Sequence, residues 1–95
     1  MRPIREFLWT EDRVEHIARH GIDPHEVEEV FLGNPLVEKT KSRGKNPVYV
    51  AFGQTLKGRY LFCLVARFPG GVGWVVTARP MTVSERRRYR LWRNR

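Results

Sequence analysis

"GRYLFCLVARFPGGVGWVVTARP", residues 58–80, is the stretch on which the fold turns. Gly58 marks a tight turn, and Pro69-Gly70-Gly71 marks a second. Between them "RYLFCLVARF" reads as a strand, and "GWVVTA" reads as the strand that follows. The first of the two is apolar on both of its faces, so it belongs in the middle of a sheet with cover on each side. A short connection makes the pair antiparallel.

Toward the N-terminus, "VYVAFGQT" and "LVEKT" have the same two-residue period, separated by the polar, basic loop "KSRGKNP". Before Asn34-Pro35 the period is 3.6. In "IDPHEVEEVFLG", Asp23 is an N-cap, Pro24 occupies the first helical position, Glu26 closes a capping box and Gly33 ends the helix. Ile22 and Val27 are placed to form a hydrophobic staple. Thr10 caps "EDRVEHIARHG", whose expected buried stripe is Val14, Ile17 and Ala18. "EFLWT" is a short opening strand. Thr82 and Glu85 make another capping box and start a terminal helix. The order is β-α-α-β-β-β-β-α in one domain over residues 1–95. The fold class is α+β, a small antiparallel sheet with helices packed on it.

Charge is unevenly spread. Residues 1–35 hold four arginines against eight carboxylates, a net −4. Residues 36–95 hold fourteen Lys/Arg against Glu38 and Glu85, a net +12, and together these give the formal +8. Six arginines crowd the last ten residues of the terminal helix and its tail, from Arg86 to Arg95. A basic back half on an acidic front half fits a polyanion held on one surface, nucleic acid being the first choice. On a helical wheel Tyr89 and Trp92 share one side, flanked by Leu91, while Arg86, Arg90 and Arg93 lie opposite.

Composition removes other classes. The longest uncharged apolar run, Tyr60–Ala66, is far below the roughly 20 residues a bilayer span needs. "MRPIREFLWT" carries charges where a signal peptide needs apolar residues, so a cytoplasmic location is expected. Cys63 is the one cysteine, which excludes an internal disulfide and a thiolate zinc cluster.

The chain resembles the BrnT family, toxins of type II toxin–antitoxin pairs with a RelE-like ribonuclease fold. "FLWTEDRVEHIARHGI" looks like the family's W-D…K-H-G-[IV] opening, and "VVTARPMTVSERRRY" looks like its I-S-x-R-x-A…E-R…Y ending. "EEVF" and "GRYLFCLVARF" continue the likeness, which runs from Phe7 to Tyr89. Thr10 departs from the Asp that usually follows the Trp, and Met81 from a usual small residue. The resemblance implies metal-independent endoribonuclease activity that inhibits translation, with no cofactor. It also implies a cognate DNA-binding antitoxin of ribbon-helix-helix type as partner. In such chemistry the ribose 2′-hydroxyl attacks its own phosphate, which calls for proton transfer groups and cations at the phosphorane.

Several residues are candidates, each with a plainer reading. Arg79 ends a strand immediately before a proline; it either grips phosphate by two parallel hydrogen bonds or pairs with a carboxylate at the sheet edge. Arg67 interrupts an apolar strand, and would join Arg79 in a phosphate clamp if the hairpin register set both on one face. Arg59 and Lys57 flank the Gly58 turn, as RNA contacts or as solvated charge. His16 and His20 have the i, i+4 spacing of metal ligands, but a site would need further ligands and none is expected. His20 either stabilises a helix C-terminus or, by the resemblance, transfers protons. Tyr89 is either core or a proton donor. Arg86, Arg87 and Arg90, with Arg88, are the expected RNA-backbone contacts. The rival function is a nucleic-acid-binding module without chemistry.

Overall fold

The structure is a computed structural model and describes residues 3–41 and 44–95. Ser42 and Arg43 of the basic loop therefore lie outside the described residues. The elements are β1 (Glu6–Phe7), α1 (Glu11–Ala18), α2 (Pro24–Leu32), β2 (Leu36–Lys39), β3 (Val48–Gln54), β4 (Tyr60–Phe68), β5 (Val72–Pro80) and α3 (Val83–Arg93). The order matches the α+β expectation. All three N-caps form as the sequence implies. Thr10 accepts from the Arg13 amide, and capping boxes close at Asp23/Glu26 and Thr82/Glu85.

The described strands make one five-stranded sheet in the order β1-β5-β4-β3-β2, with β4 at its centre. Strands β2 to β5 form an antiparallel meander. The all-antiparallel expectation fails at β1, which pairs parallel with β5 through Glu6↔Val72 and Phe7↔Gly73. No hairpin joins these two strands, so no turn dictates their relative direction. The sheet is mixed.

Two layers cover it. Helices α1 and α2 bury Ile17, Val27 and Val30, with Ile22 from the connection between them, against Ala51, Leu61, Cys63, Val65, Val75 and Ala78. Of the stripe expected on α1, Ile17 is buried, Val14 is half-buried and Ala18 is exposed. The α1 helix packs against β5 at the border of the sheet, so only a narrow strip of it turns inward. On the other face α3 lays Tyr89 on Phe52 and Met81, with Leu36, Val50, Tyr60, Phe62 and Trp92 around them.

One irregularity sorts the side chains of the hairpin. Counting from the turn, where Phe68 faces Val72, an unbroken ladder would set Arg79 opposite Leu61. Instead the register slips between Leu64 and Val65, and Val76 is the extra residue of a bulge on β5. Arg79 thus pairs with Phe62. The Val76 carbonyl, beyond the reach of short β1, accepts from Arg13 Nη1 at 2.9 Å.

Gly53 on β3 lets α2 come close: a Cβ there would sit 2.8 Å from Val30 Cγ1, a stiff and buried branched chain. Gly53→Ala is therefore expected to cost about 1–3 kcal/mol in urea denaturation, through overpacking. A change within a few tenths would contradict this packing.

Candidate nucleic-acid interface

Helix α3 is amphipathic in an unusual sense, since its docked side is aromatic and its outer side is arginine. Tyr89 is 3% exposed and its ring meets Tyr60 edge-on at 6.1 Å, with Trp92 tilted against it at 5.9 Å. Leu91, expected to flank this side, is 71% exposed on the outside. Arg86 stacks on the Tyr60 ring at 4.3 Å, which keeps its stem on the sheet margin and its charge in solvent. Arg88 pairs with Glu38 on β2. Among the described residues Arg86, Arg87 and Arg90 have no salt-bridge partner, and with Val83, Leu91 and Asn94 they line an open depression on the outer face. Three such charges at i, i+1 and i+4 repel one another, and packing of Tyr89 and Trp92 offsets that repulsion.

Arg79 stands at the junction of β5 and α3. Glu85 grips it by a two-pronged pair, Nη1 to Oε1 at 2.8 Å and Nη2 to Oε2 at 3.0 Å. Nη1 also donates to the Pro80 carbonyl, and the guanidinium lies 4.0 Å over the Phe62 ring. The hydrogen bond from Arg79 holds the Glu85 carboxyl below its ordinary range, and the same bond raises the pKa of Arg79. A guanidinium has five N–H donors. Three are used here, so Nε–H and one Nη2–H remain on a side chain that is 33% exposed. Arg79 is thus a carboxylate-paired arginine with a free lateral edge.

The clamp of Arg67 with Arg79 does not form. Arg67 faces Gly73 on the α1/α2 side of the sheet, whereas Arg79 faces Phe62 on the α3 side. Five residues of β4 separate their partner positions, about 16 Å at 3.3 Å per residue. The Val76 bulge is the cause, because without it both would share one face.

Other candidates scatter. Arg59 is bound to Glu26 at 2.6 Å and to the Gly21 carbonyl at 3.1 Å, away from α3. Lys57 shares that corner with Asp23, Glu26 and Glu29, whose carboxylates disfavour a phosphate. Tyr89 is in the α3-side core. His20 is exposed at the end of α1, and it is His16 that reaches the sheet, its Nε2 3.2 Å from Thr77 Oγ1. Arg13 wraps the same border, 5.0 Å over the Trp74 ring. Sequence reasoning missed this His16–Thr77 and Arg13–Trp74 group. The α1 amphipathic pattern gave no signal for it, since the contacts span about 60 positions. Burial pushes the Cys63 thiol up to about 12, so it is a neutral core residue.

Among the described residues no cluster of three or more His, Cys, Asp or Glu could hold a metal ion. None of the described helices is long and apolar enough to cross a membrane. No protein-family model and no curated protein matches the chain.

The Arg79–Glu85 pair has a pH signature. Glu85 has a lowered folded pKa, so its contribution is complete above the unfolded glutamate value of about 4.3 and is lost as pH falls through the folded value. Arg79, being raised, contributes at every pH below its ordinary range and adds no slope there. The gap in unfolding midpoint between the native chain and Glu85→Gln should therefore be present at pH 7 and close below about pH 4. A gap unchanged by acid would count against the pair.

Proposed function

We propose that the chain is a metal-independent endoribonuclease toxin of BrnT type, with a RelE-like fold, that inhibits translation by cutting RNA. The observation that carries this reading is the unpaired arginine face of α3, the helix whose first turn holds Arg79 through Glu85. RNA backbone is the ligand that such a face suits. Arginine binds phosphate bidentately, and each neutralised phosphate releases counterions. Arg86, Arg87 and Arg90 hold the strand, and Arg79 offers its free Nε–H and Nη2–H edge to the phosphate under attack. Of the two imidazoles near the α1 end, His16 is the one that contacts β5, at Thr77, two residues before Arg79 in sequence. The partner of the resting state is a DNA-binding antitoxin whose acidic and apolar groups cover the arginines with exposed Val83 and Leu91.

One observation favours the rival reading of a binding module without chemistry: Glu85 already occupies the fork of Arg79. A labelled RNA incubated with the protein in EDTA separates the two. Strand breaks are expected, with Arg79→Ala slowing them about 100-fold. Replacing Arg86, Arg87 and Arg90 by Ala should weaken binding and flatten the log–log salt slope by about 2, at roughly 0.7 per phosphate on a single strand. Tight salt-sensitive binding with no breaks would leave only the binder.

A further inference from the structure

A second pair of arginines lies at the far end of the sheet from α3. Arg67 interrupts the apolar side of β4, below Leu61, Cys63 and Val65. Its Nε is buried and has no hydrogen-bond partner among the described residues. A buried donor left unmet is destabilising, the more so on a charged group, so its retention calls for an acceptor.

Arg5, just before β1, comes to the same place. Its amide donates to the Gly71 carbonyl at 2.7 Å, and its stem crosses Gly71 so closely that a Cβ there would meet Arg5 Cγ at 3.0 Å. Gly73, opposite Arg67, is likewise filled over by Phe7 and Ile4. Gly71, in the turn before β5, thus leaves room for the Arg5 stem to cross it. Arg5 and Arg67, with Pro3 and Gly70, line one open depression at the β4–β5 turn. No carboxylate among the described residues pairs with either guanidinium. Glu6 and Glu28 line a neighbouring depression with Arg5, yet neither is within salt-bridge reach.

We propose that Arg5 and Arg67 form a binding site for a single phosphate group, separate from the α3 face. Two guanidiniums on one depression match a tetrahedral oxyanion, singly charged in a phosphodiester and up to doubly charged when free, and a bound oxygen supplies the acceptor that Arg67 Nε lacks. The phosphate is either free or carried by a polynucleotide; the binding chemistry is the same. The site stands whether or not the chain cleaves RNA.

The test is a ¹H–¹⁵N titration observing Arg67 Nε–H together with the Gly70 and Gly71 amides. Inorganic phosphate serves as one ligand and a 2′-O-methyl oligoribonucleotide, which resists cleavage, as the other. Phosphate should shift these three resonances saturably, and the shift should persist when Arg86, Arg87 and Arg90 are replaced by methionine. Arg67→Met should abolish it at Gly70 and Gly71. Should that variant unfold, Arg5→Met, at an exposed position just before β1, is expected to weaken phosphate binding at least tenfold. A shift with both ligands marks a polynucleotide phosphate, and a shift with phosphate alone marks a free one. Resonances at Arg67 and the turn that stay still under both ligands would overturn the site.

Discussion

A single extra residue, Val76, governs where this molecule carries its charge. The bulge it makes in β5 moves Arg79 from the α1/α2 side of the sheet to the α3 side, and Arg67 stays behind. Arg13 fixes the bulge from outside by donating to the Val76 carbonyl, at a point where β1 is too short to continue the ladder. Had the ladder run unbroken, the two arginines would face the same helical layer, and Arg79 could not lie beside α3. Cationic groups on opposite faces of one sheet follow from that slip.

The second controlling group is Glu85, the only carboxylate of α3. It closes the capping box with the Thr82 amide and holds both Nη atoms of Arg79. One side chain thereby starts the helix and ties it to the strand that precedes it. The consequence for function is electrostatic. With Glu85 committed to Arg79 and Glu38 to Arg88, the outer arginines of α3 keep their full charge. They are held in place by aromatic packing beneath, Tyr89 on the sheet and Arg86 against Tyr60. A polyanion relieves their repulsion.

Much of this was readable from residues because it is local. Caps at Thr10, Asp23 and Thr82, the break at Asn34-Pro35 and the glycine turns each depend on a few neighbouring positions, and each element fell within a few residues of its expected bounds. The central place of β4 followed from its two apolar faces. What escaped was set at long range. The bulge depends on how β5 meets α1, and Arg13 and Val76 are 63 positions apart. The parallel seat of β1 depends on the border it fills, not on its own two residues. The site suffered for the same reason. Residue type and helical spacing located the exposed arginine face of α3, but Arg67, Arg59 and Arg79 each meet surroundings that only the assembled sheet defines. His16 rather than His20 meets β5 because α1 is rolled by its contact with β5, against which only Ile17 is fully buried.

In the proposed reaction RNA lies along α3 and its own 2′-hydroxyl is the nucleophile, with Arg79 at the phosphate under attack. The most direct measurement compares, in EDTA, an RNA that the protein cuts with the same RNA bearing one 2′-deoxy nucleotide at the cut position. Fragments ending in 2′,3′-cyclic phosphate are expected from the first and an intact bond at that position in the second. Cutting that ignores the missing hydroxyl, or that stops when metal is removed, would contradict the proposed reaction.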